Sequence, residues 1–177
     1  MEVFITDTSF WIDLHDGNIP FLPFTLPCTW AITDFALIEL SNRHPDLSQN
    51  IFSRGLKIET LSPELVQEIF EIIASLQTSG KKLRSISATD ISSFVLARKI
   101  NAALITSDAP LRKFASSHGV VVHGTLWVME KFIDTKNLSV EHGIEVLRRM
   151  LSSNSRLPVE ECEKLIKKWS KLAGRRK

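Results

Sequence analysis

The chain has little of what builds secreted or membrane proteins. It holds two cysteines, Cys28 and Cys162, far apart in sequence. They show neither the paired spacing of a zinc site nor the even framework of a disulfide-stapled domain, and a reducing compartment is expected. No stretch approaches the roughly 20 apolar residues of a membrane span, and the amino terminus lacks the basic-then-apolar order of a signal peptide. The expectation is a cytoplasmic protein with no membrane partner. The five histidines, His15, His44, His118, His123 and His142, have no close ligand spacing and no nucleophile beside them, so no chemistry is assigned to them. Internal repeats and low-complexity tracts are absent too.

What remains is ordinary globular material. The 177 residues are 44% hydrophobic and 24% charged, enough for one domain with a real core and a small appendage. The net charge of +2 conceals an asymmetry, because residues 156–177 carry eight Lys or Arg against three Glu. A basic tail beside an acidic body suits a polyanion such as nucleic acid. A solvated helix face accounts for the same charges.

Short β-branched runs alternate with longer segments of helical period, as in an α/β sheet with crossover helices. Strands are predicted at 2–6, 27–31, 57–60, 103–106 and 119–122. Helices are predicted from Thr33 to Arg43, ended by His44-Pro45, from Ser62-Pro63 to Gly80, and from Ser87 to Asn101. Beyond residue 123 only helical stretches follow, at Leu126 to Ile133, Val140 to Leu151 and Val159 to Leu172. In the last, Cys162, Leu165, Ile166, Trp169 and Leu172 share one face, which suits packing on the body or on a second subunit. The chain therefore divides into 1–122 and a helical extension, 123–177. Gly80-Lys81-Lys82 marks a mobile loop, and Trp11, Trp30, Trp127 and Trp169 read as core or interface anchors.

Four acids stand out: Asp7, Glu39, Asp90 and Asp108. Asp7 follows Val3-Phe4-Ile5-Thr6, and Asp108 follows Ala103-Leu104-Ile105-Thr106-Ser107, so each lies beyond the carboxyl edge of a predicted strand. Ligands bind along that edge in open parallel sheets. Each of the two aspartates also suits a helix cap, and Ser87-Ala88-Thr89-Asp90 fits a capping box. Glu39, amid Phe35-Ala36-Leu37-Ile38-Glu39-Leu40, reads as a buried carboxylate in need of a partner, either Arg43 one turn on or a metal. Convergent carboxylates repel unless protonated or bound to a cation. Oxygen donors without His or Cys point to Mg²⁺ or Mn²⁺. Ser9 and Thr106, two residues from Asp7 and Asp108, suit holding metal-bound water or a phosphate; both also suit local turns.

The order of these motifs resembles the PIN domain, the ribonuclease fold of VapC-like toxins in toxin–antitoxin pairs. Val3 to Ser9 resembles that family's first acid and following hydroxyl, and Ile38-Glu39-Leu40 resembles its helix-borne glutamate. Ser87-Ala88-Thr89-Asp90 and Ala103 to Asp108 resemble its third and fourth acids. The match covers about residues 1–122, and the helices beyond are similar to those of a subgroup with a carboxyl-terminal helical addition.

The resemblance implies a three-layer α/β sandwich, a parallel sheet of about five strands with helices on both faces. It also implies Mg²⁺- or Mn²⁺-dependent cleavage of single-stranded RNA, an antitoxin partner and a homodimer. Asp7, Glu39, Asp90 and Asp108 would be its catalytic and metal-binding residues. A further acid found after the fourth in some members is missing from Ala109-Pro110-Leu111-Arg112. Lys81, Lys82 and Arg84, with the terminal lysines, are the expected contacts to the RNA backbone. Two alternatives remain: a PIN-like module that binds RNA or protein without cutting, and a haloacid-dehalogenase-like phosphatase. The second alternative wants an aspartate where Ser9 stands.

Overall fold

A computed structural model describes residues 2–78, 86–153 and 155–174. Lys81, Lys82, Arg84 and the Gly80 loop lie outside the described residues. Five strands, β1 (Val3–Thr6), β2 (Thr29–Thr33), β3 (Lys57–Glu59), β4 (Ala103–Ile105) and β5 (Val122–His123), form a fully parallel sheet in the order β3-β2-β1-β4-β5. Nine α-helices are described: α1 (Thr8–Asp16), α2 (Asp34–Arg43), α3 (Pro45–Ser53), α4 (Pro63–Thr78), α5 (Ala88–Lys99), α6 (Ala109–Ser117), α7 (Thr125–Asp134), α8 (Val140–Ser152) and α9 (Val159–Gly174). The expected α/β sandwich, with helices on both faces and helices at the carboxyl end, is what the chain forms.

The two-residue period of the strands sets the layers. Phe4, Trp30, Ile32 and Ile105 point to one face and join Phe10, Trp11, Leu40, Ile51, Val128, Phe132, Leu147 and Trp169. Ile5, Ala31 and Leu104 point to the other and join Ile69, Ile91, Phe94, Leu111 and Ala115. The three helices after β5 therefore complete the first layer. The α9 stripe lies inward at Cys162, Leu165 and Trp169, while Leu172 is exposed. Gly143 makes that contact possible, since a Cβ there would stand 2.9 Å from Ile133 and 3.1 Å from Trp169.

Several boundaries differ from expectation. His44-Pro45 does end α2, but Pro45 also opens α3, a helix the sequence reading lacks; proline at the first helical position costs no hydrogen bond. The last strand begins at Val122 rather than 119, because Gly119 takes a positive φ of 79° in leaving α6. β2 runs two residues later than 27–31, so that Thr33 ends the strand and caps α2 by accepting from the Ala36 N–H. Among the described residues, no helix is long and apolar enough to cross a membrane.

Candidate metal centre at the carboxyl edge of the sheet

The strand order reverses between β1 and β4. The chain moves outward from β1 through β2 to β3, then returns to the other side of β1 for β4 and β5. A crevice opens at such a switch point, outside the carboxyl ends of the two strands. Asp7 follows β1 and Asp108 closely follows β4, so both predicted acids stand at this point, and the Asp7 N–H donates to the Ile105 carbonyl at 3.2 Å.

Both are also helix caps. Asp7 Oδ1 accepts from the Phe10 N–H at 3.1 Å, and Asp108 Oδ1 accepts from the Leu111 N–H at 2.9 Å. The capping role does not conflict with a site role, because a cap on this edge already faces the crevice. Thr106 joins the pair: its hydroxyl donates to Asp7 Oδ2 and accepts from the Asp108 N–H at 3.0 Å. The Ser9 hydroxyl donates to Asp7 at 2.8 to 2.9 Å and accepts from the Ser107 N–H at 3.0 Å. Ser9 and Thr106 thus hold Asp7 in place.

Asp90 occupies the third position of α5 in the predicted capping box. Its Oδ2 accepts from the Ser87 N–H at 2.7 Å and the Ser87 hydroxyl at 2.8 Å, while Ser87 Oγ accepts from the Asp90 N–H at 3.1 Å. Burial pushes the Asp7 carboxyl up to about 7, against the pull of the Thr106, Phe10 and Ser9 hydrogen bonds, and the Asp90 charge adds to the rise. Burial also raises Asp90, with the charges of Asp108 and Glu39 contributing. Asp90 thus feels the charges of Asp108 and Glu39, and Asp7 feels that of Asp90.

Glu39 requires a correction. It is not buried: 36% of its side chain is exposed, and Arg43 meets it at 3.4 Å one turn on. The reason is rotational. α2 turns Ala36 and Leu40 into the core, which leaves Ile38 exposed at 61% and Glu39 at the rim.

Whether these residues suit a cation follows from their chemistry. The set consists of hard carboxylate and hydroxyl oxygens, which fits Mg²⁺ or Mn²⁺ rather than zinc. Among the described residues, no three His, Cys, Asp or Glu side chains form a group ready to hold a metal ion. Instead Glu39 engages Arg43, Asp90 engages Ser87, and Asp108 Oδ2 engages Arg156 at 3.1 Å. Arg43 and Arg156 each offset a carboxylate charge, and Ser87 hydrogen-bonds the third acid.

One buried acid escaped the sequence reading. Asp13, 3% exposed on α1, accepts from the hydroxyls of Ser107 and of Thr125, the latter at 2.7 Å. Those two hydroxyls lie 2.7 Å apart. Two hydroxyl protons serve three close oxygen pairs, so a proton on Asp13 would complete the ring; burial raises this carboxyl to about 6. The ring ties α1 and α7 to Ser107, between Thr106 and Asp108. The available signal was Asp13 within Trp11-Ile12-Asp13-Leu14, the same placement that drew attention to Glu39.

Known structures share this architecture. The chain is similar to a PilT N-terminus domain protein from the hyperthermophilic archaeon Sulfolobus solfataricus P2, at 15% identity and a TM-score of 0.52, over 73% of this chain and 92% of that one. It is also similar to VapBC2 from Rickettsia felis, determined bound to a DNA fragment from its promoter, at 20% identity and a TM-score of 0.50, over 69% of this chain and 98% of that one. At such identities the likeness concerns the fold. A search of curated proteins finds no match. A family model described as PIN domain matches residues 3–171, spanning all four acids and reaching into α9. The chain belongs to the PIN domain family.

Proposed function

We propose that the protein is a divalent-metal-dependent endoribonuclease that hydrolyses phosphodiester bonds of single-stranded RNA, and that it is the toxin of a toxin–antitoxin pair. The observation that carries this reading is the meeting of Asp7 and Asp108 at the switch point, joined through Thr106 and coupled through charge to Asp90. Asp7, Asp90, Asp108 and, from the rim, Glu39 would hold Mg²⁺ or Mn²⁺. When bound, the ion supplies a Lewis acid and a water made nucleophilic near neutral pH.

The chain's own residues prepare that site. Ser9 and Thr106 orient Asp7, the Asp13 ring fixes the segment carrying Asp108, and Ser87 orients Asp90. Lys164, Lys167 and Lys171 are exposed on α9 and suit the RNA backbone; Lys168 is paired with Glu130 at 2.7 Å. Residues 1–122 would form the nuclease unit, with 123–177 packed on it and contributing Thr125 and Arg156 to its edge. A cytoplasmic location, a homodimer and an antitoxin encoded beside the gene belong to the same proposal.

The test is cleavage of an end-labelled single-stranded RNA with Mg²⁺ or Mn²⁺. Asp7→Asn and Asp90→Asn are expected to abolish cleavage while circular dichroism stays unchanged, and chelation should do the same. Cleavage indifferent to all three would refute the proposal. For the toxin role, growth arrest on expression should be relieved by the neighbouring small protein.

A second reading, an RNA-binding module without activity, draws on the local partners that each acid already holds. It requires RNA binding that survives Asp7→Asn but weakens, with a shallower salt dependence, when Lys164, Lys167 and Lys171 are neutralised.

A further inference from the structure

We infer that Arg156 is a counter-ion exchanged between the protein and its substrate: it holds Asp108 while no divalent cation is bound, and contacts an RNA backbone phosphate once a cation takes that carboxylate. The inference rests on the metal-dependent reading above and extends it to a residue of the carboxyl-terminal extension.

The geometry is asymmetric. Arg156 Nη1 lies 3.1 Å from Asp108 Oδ2, yet the arginine side chain is 73% exposed and the aspartate side chain only 9%. A pair with one partner so exposed is weak and readily exchanged. Asp108 does not depend on it for orientation, since Oδ1 is held by the Leu111 N–H at 2.9 Å. Arg156 is tethered as well as free. Leu157 beside it is 5% exposed within the core, and its N–H donates to Ser155 Oγ at 3.2 Å. The backbone is thereby anchored while the guanidinium stands at the mouth of the site. A planar guanidinium matches two oxygens of a phosphate as well as it matches a carboxylate. A phosphodiester brought to a cation on Asp108 would therefore meet Arg156 when the carboxylate no longer needs it.

Arg156→Gln tests the exchange, because the two halves have opposite signs. Mn²⁺ binding, followed by calorimetry, is expected to tighten about two- to fivefold, as a competitor for Asp108 is gone. Binding of a fluorescein-labelled single-stranded RNA in Ca²⁺ is expected to weaken severalfold, with a salt slope shallower by about 0.7. Arg156→Lys should restore that slope. A purely structural role would weaken both ligands and lower the melting temperature. Unchanged or weaker Mn²⁺ binding, or unchanged RNA binding, overturns the inference. Asp108→Asn separates the two levels. If it leaves Mn²⁺ affinity intact, the metal reading itself fails; if it weakens Mn²⁺ binding while Arg156→Gln does not tighten it, only the exchange fails.

Discussion

The layers on either side of the sheet and the edge between them are built by opposite rules. The layers bury Trp11, Trp30, Trp169, Phe10, Phe94 and Phe132 almost completely. Buried polar side chains gather at the carboxyl edge instead: Thr6, Asp7 and Thr8 at and after the end of β1, Thr33 at the end of β2 with Ser92 of α5 against it, and Thr106, Ser107 and Asp108 after β4, with Asp13 and Thr125 against them. Ser48 on α3, bonded to Ser41 of α2, and Ser93 on α5 lie apart from this group. Buried carboxylates are costly, and a fold that tolerates two or three of them in one place has spent stability there. The layers hold the structure together, and the edge concentrates the costly buried carboxylates.

Substitutions should separate the two regions. The largest stability loss is expected in a layer. Trp30 packs on Phe4 and Phe10 and donates its indole N–H to the Pro23 carbonyl at 2.8 Å. Trp30→Ala should cost roughly 3–5 kcal/mol by urea unfolding. An unchanged midpoint would break the division.

At the edge, stability and activity should move in opposite directions. Asp7→Asn is expected to lower cleavage by more than about 100-fold, the upper range for groups that merely support a metal site. The same change should stabilise the cation-free protein. Burial pushes the Asp7 carboxyl up to about 7 from its ordinary value of 3.8, so the folded state keeps a proton that the unfolded chain loses in that window. Wild-type stability therefore falls as pH rises between those values, and Asp13 and Asp90, also raised, act in the same direction. The gain from Asp7→Asn should be absent near pH 3.5 and reach roughly 2–4 kcal/mol at pH 8. Melting curves across pH in a chelator check the sign.

The smallest effect sharpens the boundary. The Ser93 hydroxyl on α5, three residues past Asp90, is buried without a hydrogen-bond partner in the described structure. Ser93→Ala should be neutral or stabilising by about 1 kcal/mol. A clear loss of stability would mean that the hydroxyl has a partner, and that the polar edge reaches further into α5.

Much of this was legible from sequence because local rules and the fold agree. The apolar runs ending in Asp7 and Asp108 mark strand ends, and Ser87 to Asp90 spells a cap that forms as written. The failures occur where tertiary context decides. Whether Glu39 is buried depends on which face of α2 meets the sheet, and neighbours in sequence cannot settle a rotation of 100° per residue. His44-Pro45 spells a stop, although proline also starts helices. Asp13 draws its meaning from Ser107 and Thr125, residues 94 and 112 positions away. Arg156, between α8 and α9, meets Asp108 from 48 positions away.

The central claim, that carboxylates from distant segments meet to hold one kind of ion, is most directly tested by titrating Mn²⁺ into the chelator-treated protein by calorimetry. Wild type should bind Mn²⁺, Asp7→Asn, Asp90→Asn and Asp108→Asn should each lose most of that affinity with the fold intact, and Glu39→Gln should lose less. Equal binding by wild type and all four variants would contradict it.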